Sequence, residues 1–316
     1  MVRLLEILEN FGGENMGAKE SLTASFHTPP KDLAKYFTTF CCAEIVTEES
    51  SPVADCMHPE WASLRVFSGS TPDCRLAGDQ SLSGADVVMT GASSMPAHFS
   101  IGTTRLLGVG FLPLGWATFV GQPADQFANT LTDVRESDPF AHFAPLAQTL
   151  LTESSLGETG ELKGRSVADQ LRVLTKFFRK QAPRFGNEDP RIQLIHSALI
   201  EPGVPSVCDL AKRCELNKRT LERLCRQHFG FSPKLLLRRQ RFMRSLADFM
   251  LNPSGRWVGA IDSQYVDQPH FVRDCRDFLG MTPSEYAALD HPILSVFVRE
   301  RMRALGSAMQ TLDDPN

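Results

Sequence analysis

The sequence has no run of about eighteen apolar residues, so no segment is long and apolar enough to cross a membrane as a helix. Its eight cysteines, at 41, 42, 56, 74, 208, 214, 225 and 275, form no Cys-x-x-Cys pair and no dense framework for a chain of 316 residues. They read as reduced, mostly buried thiols of a cytoplasmic protein. There is no phosphate loop, no Gly-rich nucleotide turn and no Ser/His/Asp order, so the common nucleotide-binding and hydrolase signatures are missing. The start, "MVRLLEILEN", carries Glu6 and Glu9 and lacks a small-residue cleavage site. It reads as a frayed helix, or as a start misplaced ahead of Met16, and not as a signal peptide.

What is present is ordinary in bulk: 42% hydrophobic and 22% charged residues, in a length that suits roughly two domains. The net charge of −4 is unevenly spread. From Pro190 to the end there are 18 Lys and Arg against 14 Asp and Glu, a net of +4, which leaves −8 for the front. An acidic front and a basic back imply that only the back meets a polyanion.

Residues 21 to about 120 alternate short apolar runs ("FTTFCCAEIV", "WASLRVF", "ADVVMTG", "RLLGVGFLP") with Gly, Pro, Ser and Asp at roughly ten-residue spacing. That pattern predicts a small barrel or sandwich. The adjacent Cys41 and Cys42 should point to opposite faces of a strand, while Cys56 and Cys74 are candidates for a thiol pair across strands. From about Gln122 the period becomes helical. In "SVADQLRVLTKFFRK", Val167, Leu171, Leu174 and Phe178 form one apolar stripe, which suits core packing or a dimer contact; Arg172, Lys176, Arg179 and Lys180 form the basic back. "GETGELKG" reads as a loop and "QAPRFGNEDP" as a linker. Beyond Pro190 nothing reads as strand. Helices are expected near 190–200, 206–213, 217–229, 233–251, 256–264, 268–279 and 283–289, with a tail helix near 291–306.

One phrase occurs twice, as "LCRQHFGFSP" at Leu224–Pro233 and "DCRDFLGMTP" at Asp274–Pro283. In each copy a glycine, Gly230 or Gly280, is placed to end a helix left-handed. Ser232 or Thr282 can then cap the next helix, with Pro233 or Pro283 in its first turn. Glu285 adds a Thr-x-x-Glu capping box. The preceding helices are amphipathic. Leu221, Leu224, Cys225 and Phe229 form one face of the first, and Phe271, Cys275, Phe278 and Leu279 one face of the second. Opposite them lie Lys218, Arg219, Glu222, Arg223 and Arg226, then Gln268, His270, Arg273, Asp274 and Arg276. Each helix follows a shorter one, "SVCDLAKR" or "WVGAIDSQ", across a tight turn. Two helix-turn-helix units joined by the basic stretch "SPKLLLRRQRFMRSLADFML", with Arg238, Arg239, Arg241 and Arg244, suit two stretches of DNA major groove.

On the residues "LAKRCELNKRTLERLCRQHFGFSPKLLLRRQR" and "YVDQPHFVRDCRDFLGMTPSEY", the last hundred residues resemble the DNA-binding domain of AraC/XylS transcriptional regulators. The resemblance implies a sequence-specific regulator that reads adjacent major-groove segments of double-stranded operator DNA. Base-reading positions map onto Arg219, Glu222 and Arg223, and onto Gln268, His270 and Arg273; Lys218 is a further DNA-binding candidate, and Arg226 and Arg276 are expected to meet phosphates. "HPEWASLRVF" with "LLGVGFLPLGWATFVGQPADQF" is similar to the cupin-like front domain of some members. The implied organisation is α+β. A cupin-like barrel or sandwich with trailing helices spans 21–182 and a linker 183–190. A seven-helix domain with two helix-turn-helix motifs spans 190–289, followed by a tail at 290–316. An unidentified small-molecule effector, RNA polymerase and a second copy of the chain are the partners it allows. No cofactor and no enzyme activity are expected.

An alternative is a cupin-type metalloenzyme fused to a DNA-binding module. His58 and Glu60 in "CMHPEW" are its candidate ligands, but the His-x-His…Glu…His spread of a metal cupin is missing. A repair methyltransferase would need a Pro-Cys-His-Arg site, which is absent. The chain departs from the AraC pattern in two ways. Glu215 and Gln264 stand where turn glycines are usual, at a cost of about 1 kcal/mol if held left-handed. Residues 205–250 carry a net of +7 and residues 251–289 a net of −2. The first motif and the joining helix are therefore expected to anchor the protein on phosphates, and the second motif to add selectivity.

Overall fold

A computed structural model describes residues 21–48, 51–76, 80–152, 155–156, 162–182, 188–201, 203–252, 256–257 and 259–313. The N-terminal segment, most of "GETGELKG" and the middle of the expected linker lie outside the described residues. Besides a short two-stranded pair, Ser155–Leu156 with Leu162–Lys163, ten strands of the described residues build the front: β1 (Ser21–His27), β2 (Phe37–Val46), β3 (Val53–Met57), β4 (Ser63–Gly69), β5 (Asp73–Leu76), β6 (Ser81–Leu82), β7 (Val87–Thr90), β8 (Ala97–Ile101), β9 (Thr104–Phe111) and β10 (Leu131–Asp133). They form two antiparallel sheets, in the orders β1-β2-β9-β4-β7-β10 and β3-β8-β5-β6. Among the described residues the sheets stay open, so the front is a sandwich and no closed barrel forms.

The central strands β2 and β9 are buried at nearly every position, so both faces of the six-stranded sheet are covered there. Cys41, Ala43 and Ile45 pack toward the smaller sheet with Phe67, Leu76, Ile101 and Leu106. Phe40 and Cys42 face the helices instead. Cys41 and Cys42 thus take opposite faces, as the strand period predicts. The expected thiol pair does not form. Cys56 lies on β3 and Cys74 on β5, with β8 between them. Two inter-strand spacings separate them, roughly 10 Å, too far for a disulfide.

Helices α1 (Ala144–Leu151) and α2 (Val167–Gln181) cover the other face. Ser166 caps α2, accepting from the Asp169 N–H. Phe178 is fully buried among aromatic rings, 4.5 Å from Phe37 and 5.1 Å from Phe119. Leu174 is buried beside it, while Val167 stays 39% exposed. Most of the apolar stripe is therefore used in covering the sheet, so a dimer contact would have to use another face.

The remaining chain is helical: α3 (Pro190–Ile200), α4 (Val207–Arg213), α5 (Lys218–Phe229), α6 (Pro233–Met250), α7 (Gln268–Leu279), α8 (Pro283–Ala287) and α9 (Leu294–Leu305). These match the expected helices except near 256–264, where turns replace the helix. Asp262 accepts the N–H of Gln264 at 2.8 Å, a local side-chain turn that competes with helix. The Asp262 N–H goes to Ser245 Oγ at 2.8 Å, and Trp257 stacks on Phe249 with centroids 4.0 Å apart. The left-handed residue of this turn is Gly259, not Gln264.

Two cores run through the helices, and neither belongs to them alone. The first joins Trp61, Phe111 and Phe119 of the front to Leu199, Leu210, Leu224, Phe229 and Leu236. The second gathers Phe242, Phe249, Phe271, Phe278 and Tyr286 with Leu294 and Met309 of the tail. Helix α9 then lies along β1.

The short segment Asp55–Trp61 holds the two halves together. Asp55 accepts the N–H groups of Ile293 and Leu294, each at 2.8 Å, and so caps α9 from a distant strand. His58 Nε2 bonds the Tyr286 hydroxyl at 2.5 Å, and desolvation lowers this imidazole to about 3, which keeps it neutral. Trp61 lies under the guanidinium of Arg239 at 4.0 Å. Arg239 has no exposed surface and donates to the Ser93 carbonyl at 2.9 Å and, more weakly, to that of Glu60 at 3.5 Å. Replacing Arg239 with Ala strands those carbonyls and leaves a hole, so the unfolding free energy should fall by about 3 kcal/mol. Arg239→Lys should also destabilise, because a compact ammonium does not stack flat on indole. Urea unfolding measures both; a loss below about 1 kcal/mol for Arg239→Ala would deny this cation its place in the seam.

Candidate nucleic-acid interface

Helices α4 and α5 form a helix-turn-helix. Ser206 caps α4 through the Asp209 N–H, and Asn217 caps α5 through the Thr220 N–H at 2.9 Å. Between them Leu216 donates to the Ala211 carbonyl at 2.9 Å, and Glu215 is held left-handed at φ 52°. Leu221, Leu224, Cys225 and Phe229 turn inward, and burial pushes the Cys225 thiol well up. Gly230 ends α5 at φ 82°.

The outward face of α5 carries the expected side chains. Lys218, Arg219, Arg223 and Arg226 are exposed and Glu222 is partly so. Glu222 accepts from Arg226 at 3.0 Å, and Arg223 donates to Gln227 at 3.0 Å. Among the described residues Lys218 and Arg219 have no ion-pair partner, so both are available to a polyanion.

The joining helix differs from expectation. Its arginines are basic in sequence but engaged within the protein. Arg238 pairs with Asp274 at 2.6 Å and with Asp277 at 2.5 Å. Arg241 pairs with Asp274 at 2.9 Å, lies 4.4 Å over the Tyr265 ring and contacts His270 Nε2 at 3.0 Å. Arg244 pairs with Asp262 at 2.5 Å, and Arg239 is buried. The acidic count of residues 251–289 thus neutralises α6 itself, and α6 offers DNA much less charge than its composition suggests.

Helix α7 begins at the Asp267 cap and ends at Gly280, φ 74°. Gln268, Arg273 and Arg276 are exposed. His270 is half-buried and turned toward Arg241 and Tyr265. Asp274, expected on the outer face, is fully buried and accepts from Arg238, Arg241 and the Tyr265 hydroxyl. Its carboxyl is lowered: burial opposes ionisation, but the two arginines and the hydroxyl outweigh it. The Thr282–Glu285 capping box is present.

The metal candidates do other work. Glu60 takes both of its oxygens to Arg65 Nη2, each at 2.7 Å, and His58 is bonded to Tyr286. One further group of metal-type donors comes together among the described residues, Asp55, Cys56 and His291. Both Asp55 oxygens already accept N–H groups there, from Cys56 and His291 on one and from Ile293 and Leu294 on the other. The geometry is that of a helix cap. Trp61 and Arg239 carry no local signal in sequence, because their partnership spans 178 positions.

Residues 210–288 match the family model described as "Helix-turn-helix domain". The C-terminal part of the chain is an AraC-type helix-turn-helix domain. Among solved structures the chain is similar to ToxT from Vibrio cholerae, at 10% identity and TM-score 0.40, covering 85% of this chain and 98% of that one. It is similar to ToxT from Vibrio cholerae O395 bound to (E)-4-(8-methylnaphthalen-1-yl)but-3-enoic acid, at 10% identity and TM-score 0.41, covering 84% and 98%. It is also similar to the AraC-like transcriptional activator CuxR, at 10% identity and TM-score 0.28, covering 76% and 91%. No curated protein matches the chain.

Glu215→Gly should stabilise the protein by about 0.5–1 kcal/mol, since glycine occupies the left-handed region without the Cβ clash. A denaturant midpoint that stays put or falls would show the turn unstrained.

Proposed function

We propose that this protein is a DNA-binding transcription regulator in which α5 and α7 read neighbouring major-groove segments, under the control of a small molecule held by the N-terminal half. The observation that carries the reading is the outward row on α5: four exposed cations on a capped recognition helix, three of them without an ion-pair partner among the described residues. Arg219, Glu222 and Arg223 would read bases, with Lys218 and Arg226 on phosphates. On α7, Gln268 and Arg273 would read bases and Arg276 would meet phosphate. His270 would reach DNA only by leaving Arg241. The turn segment before α7 stands where a first helix is usual, so the second motif would present α7 on the Asp274 clamp instead.

A role for α5 as the anchor follows from charge. Each phosphate neutralised by a protein cation steepens the salt dependence of binding by about 0.9 in log–log slope. On a site recovered by genome-wide footprinting, Arg219→Ala and Arg223→Ala should abolish measurable binding, and Arg273→Ala should weaken it less. Arg241→Ala should lower protein stability and leave the salt slope unchanged. Equal losses at Arg219 and Arg273 would overturn the ranking, and a flatter slope for Arg241→Ala would return α6 to the interface.

A further inference from the structure

The net charge of −8 in the front hides a basic face, because acidic residues elsewhere outweigh it. Helix α2 places Arg172, Lys176, Arg179 and Lys180 on one stripe, which rises about 12 Å along the axis. All four are exposed. The loop ahead of β2 brings Lys31 and Lys35 beside them, because Asp32 accepts from Arg179 at 2.7 and 2.9 Å. Three carboxylates pair within this face, Asp32, Asp169 and Glu188, against six cations, which leaves a net of +3. Lys31, Lys176 and Lys180 are exposed and have no ion-pair partner among the described residues. Arg172 and Arg179 are paired only with exposed carboxylates, contacts that compete weakly with a polyanion. The neighbouring helix α1, "APLAQTLL", carries no charge, so it places no acid beside the stripe.

This face is continuous with the outward row of α5. His228, at the end of α5, lies within reach of the charges of Arg223, Asp189 and Arg191. Asp189 caps α3 and accepts from Arg191 at 2.6 Å. Its neighbour Glu188 accepts from Lys35 at 2.6 Å and from the Tyr36 hydroxyl. From that loop, Asp32 and Arg179 lead onto α2. Helix α2 also shares its apolar core with α4 and α5, whereas α7 lies in the other core. We propose that the front half holds DNA too: α2 and the Lys31 loop take phosphates of the duplex flanking the segment read by α5, on the side away from α7. Duplex DNA offers one charge per about 1.7 Å of axis, and flexible lysines can each find a phosphate without a fixed geometry. Such contacts carry no base information. They add affinity and lengthen the occupied stretch of DNA on one side only.

The inference rests on the regulator reading, so the site and its flanks are measured separately. Full-length protein is titrated by fluorescence anisotropy, at several salt concentrations, with three duplexes: a footprinted site alone, and the site extended by about two helical turns on one side or on the other. One extension should tighten binding about tenfold and steepen the log–log salt slope by about 2–3; the other should add much less. Combined Lys31→Gln, Lys176→Gln and Lys180→Gln should lose that gain and keep the affinity for the unextended site. Combined Lys31→Arg, Lys176→Arg and Lys180→Arg should retain the gain, since the contact uses charge. Equal gains from the two extensions would overturn the proposal, as would a triple glutamine protein that keeps the steeper slope. Protein that binds the unextended site and ignores both extensions denies the flanking contact alone; protein that binds none of the three denies the regulator reading with it.

Discussion

The arrangement depends on one buried cation. Arg239 leaves α6, the helix between α5 and α7, and enters the front half, where Trp61 covers its face and backbone carbonyls accept its hydrogen bonds. Removing a guanidinium from water is costly, and that cost is offset only if the aromatic face and the carbonyls stay where they are. Trp61 is held in turn by Phe229 and His196, each in edge contact with its ring. The end of α5, the joining helix α6 and the front half are therefore set by one contact group.

Around this contact the segment Asp55–Trp61 acts as a row of attachment points. Asp55 caps the tail helix, His58 meets Tyr286 and Trp61 takes Arg239. Three polar side chains that could suggest chemistry in sequence, Asp55, His58 and Glu60, are satisfied by partners that hold the molecule together. The same holds on α6, where Asp274 binds two arginines that composition alone would assign to phosphate. Local charge counts describe an interface well when the charges face water, as on α5, and poorly when an opposite charge arrives from a distant helix.

That contrast explains what could be read from the sequence. The helix starts and stops were legible, because caps, prolines and the two glycines act within a few residues. The alternation of the strands was legible, and so was the outward face of α5. The replacement of one short helix by turns at 256–264 was hidden, since the apolar pattern of "WVGAIDSQ" suits either state and Asp262 and Trp257 decide it through Ser245 and Phe249. The burial of Asp274 and the seam at Trp61 were hidden too, as both depend on side chains that meet only after the chain has folded back. An open sandwich and a closed barrel differ in strand pairing at the edges, to which strand periodicity is blind.

The two cores have a bearing on how the chain can be taken apart. Helices α4 and α5 share their apolar interior with the front sheet, and α7 and α8 share theirs with the tail. A fragment trimmed to α4–α8 would carry Phe229 and Leu210 without the sheet that covers them, and Phe242 and Tyr286 without Leu294 and Met309. Such a fragment would present sticky surfaces to its neighbours. In this chain the helices after Pro190 are not a unit that can be cut out cleanly.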